Sequence, residues 1–150
     1  MALSDVKTWF NKQKGSIQES VTRFKNKDFL DAVVAGCALV AAADGTIDAS
    51  EKQKMVGFIE RSDELKVFDI KEVIQRFNMF VDGFDFDHSI GTGEAMKAIA
   101  KIKSNPEASR LLIRVCCAIG MADGTFDDDE KKVVKEICTE LKLDPSEFEL

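Results

Sequence analysis

At 150 residues the chain has the length of one domain, enough to bury about 70% of its unfolded surface without metal or disulfide help. Apolar residues make up 45% and charged residues 32%, which excludes an intrinsically disordered chain. A net charge of −6 and a pI near 4.9 argue against non-specific nucleic-acid binding.

The charge is uneven. Residues 1–27 carry Lys7, Lys12, Lys14, Arg23, Lys25 and Lys27 against Asp5 and Glu19, a balance of +4, so the rest of the chain carries −10. Within this basic arm Val6, Trp9 and Phe10, then Ile17, Val21 and Phe24, give short amphipathic pieces interrupted at Gly15. Two uses are open for it: packing onto the body with its lysines solvated, or lying on an anionic membrane surface or an acidic partner. No apolar core with a small-residue cleavage site follows the start, so a cytoplasmic location is expected.

From Asp28 to Ala43 the sequence is apolar almost all round, the pattern of a buried central helix. Its longest apolar run, Ala32 to Ala43, is about a dozen residues, too short to span a bilayer. Then comes ADGTIDASEK, residues 43–52. It returns as ADGTFDDDEK at residues 122–131, with seven of ten positions identical, an internal repeat. After the first copy, Ala49 to Arg61 places Met55, Val56, Phe58 and Ile59 toward a core. Asp69 to Val81 spaces Ile70, Val73, Ile74, Phe77, Phe80 and Val81 by threes and fours.

The connector FDFDHSIGTGE, Phe84 to Glu94, reads as the least regular part of the chain, and its glycines make no phosphate-loop motif. Met96, Ile99 and Ile102 mark the next helix. Asn105-Pro106 opens another as N-cap and first helical residue, running to Ala122 with Leu111, Leu112, Val115, Cys116 and Ile119 inward. Asp128 to Leu141 follows, carrying Val133, Val134, Ile137 and Leu141. Asp144-Pro145-Ser146-Glu147 has the sequence of a capping box, a final turn that tucks Phe148 and Leu150 onto the body.

No run alternates with period two. The expected fold is all-α: a compact multihelical domain over 28–150, built from two pseudo-twofold-related helical hairpins at about 28–61 and 106–141. Cys37, Cys116, Cys117 and Cys138 all fall in apolar helical patterns without zinc-ligand spacing, so reduced core thiols are expected.

The repeated turn admits two explanations. Gly45 and Gly124 can end a helix, and Asp48 with Glu51, and Asp127 with Glu130, have capping-box spacing. Asp44 and Asp123 resist that account, because each follows a helix C-terminus, where a negative charge costs about 0.3–1 kcal/mol. A bound cation would reverse the sign. DGTIDASE and DGTFDDDE also match positions five to twelve of an EF-hand loop, including the glutamate at twelve. The first half of that loop is missing, since Val40, Ala42, Ile119 and Met121 cannot ligate. Carboxylate oxygens without paired His or Cys select calcium or magnesium. Capping and cation binding both stay open on the residues alone.

The repeat, taken with FKNK (24–27), SEKQKM (50–55), SDELKVFD (62–69), EVI (72–74), FDFD (84–87), PEA (106–108), FDDDEK (126–131) and LDPSEFEL (143–150), resembles the tellurite-resistance TerB family over essentially the whole chain. That resemblance implies a bacterial cytoplasmic helical protein of the tellurium and stress-resistance system. Its partners would be other tellurite-resistance proteins, some at the inner face of the membrane. It also implies metal binding at Asp44, Asp48, Glu51, Asp123, Asp127 and Glu130. Ala49 and Ser50 stand where the second turn has Asp128 and Asp129, so the first site is less acidic.

The one histidine, His88, lies beside Asp85 and Asp87 without a nucleophile–base pair, and Glu94 closes the same connector. No catalysis is expected, and any contribution of these four to a site stays open. The rival to a cation-binding module is a metal-free interaction scaffold that uses its acidic face.

Overall fold

The computed structural model describes residues 27–43, 68–121 and 126–150, together with positions 47, 49, 53, 56, 57 and 60. Five α-helices are described: α1 (Lys27–Ala41), α2 (Ile70–Phe86), α3 (His88–Ala100), α4 (Pro106–Met121) and α5 (Asp128–Glu140). A 3-10 turn, Pro145–Phe148, follows α5. No strand occurs among the described residues, and positions 49, 53, 56, 57 and 60 are helical. The chain is all-α, as its periodicity predicts.

Helix α1 is central. Eleven of its fifteen residues are buried, and it packs against α2, α3, α4 and α5. Unpaired polar side chains would be left unsatisfied in such a position, which is why its sequence is apolar almost all round and its one inner carboxylate, Asp31, is paired. It runs in the same sense as α2. The Phe29 ring lies 6.4 Å from that of Phe68, just before α2. Asp31 is bonded to Arg76 in the middle of α2, and past the end of α1 the Ala42 carbonyl faces His88.

Helices α1 and α4 meet at Gly36. A Cβ there would stand 2.7 Å from the Cys116 Sγ and 3.4 Å from a Leu112 methyl. Such closeness needs a residue without a side chain at the crossing. The four cysteines are all buried here, as free thiols. Ser109, a buried polar side chain of α4, donates its hydroxyl to the Ile102 carbonyl at 3.1 Å.

The connector corrects the sequence expectation. Residues 84–94 are helical almost throughout: α2 continues to Phe86, Asp87 alone breaks the chain, and α3 begins at His88. The reason is the double use of Asp87. Its backbone N–H closes α2 on the Gly83 carbonyl at 3.0 Å. Its carboxylate caps α3, accepting from Ser89 N at 2.8 Å and Ile90 N at 3.3 Å. Gly91 sits inside the helix because a Cβ there would come within 2.6 Å of the Phe84 backbone nitrogen. The glycine marks a close approach of α2 and α3, and a loop is not required.

Asn105 caps α4 through Ala108 N at 3.2 Å, as expected. At the C-terminus Asp144 accepts from Ser146 N at 2.9 Å, Phe148 is buried and Leu150 packs on the core. The reciprocal half of the expected capping box is replaced, since Glu147 pairs with Arg110 of α4 at 3.0 Å. Of the two expected hairpins, 106–121 and 126–141 are described. The first Asp-Gly turn and most of its return helix lie outside the described residues, as does the arm before Lys27.

Candidate cation site at the second acidic turn

Helix α4 ends at Met121 and α5 begins at Asp128. Between them Phe126 and Asp127 are described. Phe126 is half-buried and packs on the core, with the Lys131 ammonium 6.0 Å from its ring centre. Its counterpart in the first turn, Ile47, is buried in the same core. The apolar residues at the matching positions of the two repeats therefore both reach the core.

Asp127 is extended (φ −77°, ψ 174°), which lets its side chain fold over the free N–H groups of α5. Its Oδ1 accepts from Glu130 N at 2.8 Å, and Glu130 Oε1 returns to Asp127 N at 3.5 Å. The capping box read from the spacing is formed in this copy. Asp128 and Asp129 are exposed in the first turn of α5, where the helix dipole favours negative charge. The second oxygen of Glu130 lies against the end of α4, 3.4 Å from where a Cβ on Gly120 would stand.

Two of the six expected ligands, Asp127 and Glu130, are therefore brought together. Asp123, Asp44, Asp48 and Glu51 lie outside the described residues. Among the described residues no group of three His, Cys, Asp or Glu is placed to hold a metal ion. The described pair lies three residues apart at the start of α5, with each carboxylate turned to the other residue's backbone N–H. Both carboxylates are engaged by the cap.

Asp85, Asp87, His88 and Glu94 fall elsewhere. Asp87 is occupied by capping. The His88 ring is set edge-on to Phe84, with centroids 5.4 Å apart, and its Nε2 is 3.4 Å from the Ala42 carbonyl. That contact carries the connector to the entrance of the first acidic turn. Glu94 is exposed, with its Oε2 beside Gly83.

Sequence reasoning missed one charged cluster. Asp31, almost buried on α1, is bonded to Arg76 and lies 3.7 Å from Lys101 Nζ, while Arg76 also holds Glu72 at 3.1 Å. The Glu72–Arg76 spacing of four was a readable signal. Asp31 and Arg76 are 45 positions apart, and no local pattern joins them. The cluster ties α1 to α2 and to the turn after α3.

The family model described as "Tellurite resistance protein TerB" matches residues 30–150. A protein of Alcaligenes sp. named "Tellurium resistance protein TerB" is 48% identical to this chain over 115 residues, covering 72% of this chain and 94% of that relative. No solved structure matches.

Proposed function

Because the chain belongs to the TerB family of tellurite-resistance proteins, we propose that it is a non-catalytic accessory of a bacterial tellurite and stress-resistance system. In this reading it binds a divalent cation, calcium or magnesium, at paired acidic turns on two related hairpins. It docks other resistance proteins in the cytoplasm, at the inner face of the membrane. The observation that carries the cation reading is the Asp127–Glu130 pair, preceded in the chain by an Asp123 that follows the end of α4 by two residues. A carboxylate after a helix C-terminus is unfavourable unless a positive charge answers it. The same sequence recurs after α1, which ends at Ala41. The ion would be held by Asp123, Asp127 and Glu130, with Asp44, Asp48 and Glu51 as the second set, and would supply positive charge that locks each turn. Among the described residues no helix is long and apolar enough to cross a membrane, so the proposed docking is peripheral.

A second reading rests on the completed capping box, which stabilises the second turn with no ion. The protein would then be a metal-free scaffold with an acidic face.

Thermal unfolding of the wild type and the Asp44→Asn/Asp123→Asn variant, with and without millimolar calcium or magnesium, separates the two. Without ion the variant gains about 0.6–2 kcal/mol under either reading, about 0.3–1 for each of the two charges that leave helix C-termini. Under the cation reading the ion then stabilises only the wild type, by about 2.7 kcal/mol for each occupied site if present at a hundred times its Kd. Equal shifts, or none, sink the cation site and leave the scaffold.

A further inference from the structure

Three large apolar side chains are exposed among the described residues: Phe86 at 80%, Met79 at 63% and Ile90 at 43%. Met79, Asp82 and Phe86 share one face of α2 by their spacing of three and four, and Ile90 follows in the first turn of α3. From residue 78 to 94 the exposed charges are of one sign, and the nearest basic residues along the chain, Arg76 and Lys97, stand beyond the ends of that stretch. Asp82, Asp85, Asp87 and Glu94 are all exposed, and residues 78–94 contain no lysine or arginine. Apolar exposure bordered by polar groups marks an interaction surface, and the rim decides what kind.

A second copy of the same patch would bring like charges face to face, and an anionic lipid surface would be repelled. The complementary occupant is a basic amphipathic segment with large apolar anchors. Such a segment exists in this chain. Residues 1–27 carry six Lys/Arg against two acids, and Val6, Trp9 and Phe10 recur at helical spacing among Lys7, Lys12 and Lys14.

We infer that the N-terminal arm, residues 1–26, docks on the Met79–Phe86–Ile90 face of its own body, with Trp9 as its apolar anchor and its lysines against the Asp82–Asp87 rim. The arm joins the body at Lys27, the start of α1, near the start of α2. From there Phe86 lies about 25 Å along α2, at 1.5 Å per residue. The 18 residues from Trp9 to Lys27 span about 27 Å even if helical and about 60 Å if extended, so the tether reaches. Joining the arm to its site in one chain raises the local concentration far above that of a free peptide. The inference does not depend on the cation reading.

Trp9 is the sole tryptophan, so its fluorescence in the full chain reports the arm directly. The expected result is a blue-shifted emission and partial protection from acrylamide, relative to the denatured chain. Both should be lost in Met79→Ser/Phe86→Ser and weakened in Asp82→Lys or by added salt, while the helical circular dichroism stays unchanged. These side chains are exposed, so their replacement leaves the core intact. The proposal is overturned by a wild-type Trp9 as open to acrylamide as in the denatured chain, or by shielding that neither variant alters. It also fails if shielding disappears on dilution, because a second copy then supplies the arm. Shielding that appears only with anionic vesicles assigns the arm to lipid and overturns it as well.

Discussion

Lys142 is held at φ 58°, in the left-handed region where a side chain is disfavoured. It ends α5 in a Schellman arrangement. Leu143 N bonds back to the Cys138 carbonyl at 2.8 Å, and Lys142 N to the Thr139 carbonyl at 3.1 Å. The position is the one glycine fills in most helices, and the lysine stem makes it costly. Lys142→Gly should therefore raise stability by about 1 kcal/mol. Urea unfolding monitored by circular dichroism checks it, and a loss of stability would mean that the Lys142 side chain makes a compensating contact. Nothing local announces this cap: Leu141-Lys142-Leu143 lacks the usual glycine, and only Asp144-Pro145 downstream signals a stop. Asp87 was equally hard to read. An aspartate that ends one helix and starts the next looks, one residue at a time, like a loop.

At the scale of elements, the α1–α4 crossing depends on one missing methyl group. Gly36→Ala should gain up to about 1 kcal/mol from helix propensity and lose more from overpacking, because a Cβ would stand 2.7 Å from a buried Cys116 Sγ. Against an overpacking cost of about 1–3 kcal/mol, the net outcome is destabilisation by up to about 2 kcal/mol. Adding Cys116→Ala removes the obstructing sulfur, so the double variant should be less unstable than the two single effects added together. Strict additivity in a double-mutant cycle would show that the helices do not meet there. The acidic turns belong to this scale too. In each, the apolar residue of the repeat, Ile47 or Phe126, lies in or against the core.

The whole molecule is held together by a core that places four thiols out of reach of water. Burial pushes Cys37 up to about 12 from the ordinary 9.0. Burial and then neighbouring Cys138 do the same for Cys117. Burial, followed by Glu147 and Asp144, lifts Cys138 to about 11, and burial raises Cys116 well above its usual range. The folded protein thus keeps protons that the unfolded chain gives up. Stability from these groups is fully present below pH 9 and is lost as pH rises toward 11 and 12. Each thiol adds a slope of at most about 1.4 kcal/mol per pH unit. Urea midpoints should fall between pH 8.5 and 10.5, and fall less in Cys37→Ala. In the native state at neutral pH neither Cys37 nor Cys116 should react with a thiol reagent before unfolding. Rapid native labelling of both would show that they are not core thiols.

The sequence by itself determined the fold class, the buried character of α1 and α4, the fate of the cysteines, the Asn105 cap and the capping spacing at Asp127 and Glu130. All of these are set by neighbours within one or two turns, where hydrophobic period and side-chain-to-backbone bonds act. Family membership was legible for the same reason, through short motifs in fixed order along the chain. Only the tertiary structure decided that Phe84–Glu94 is helical on both sides of Asp87, because Gly91 is explained by the approach of Phe84 across the α2–α3 bend. It alone paired Asp31 with Arg76, sent Glu147 to Arg110 and left Phe86 exposed among acids. These outcomes depend on which helix faces lie against one another. That is fixed by the summed packing of the core, and no local stretch of sequence records it.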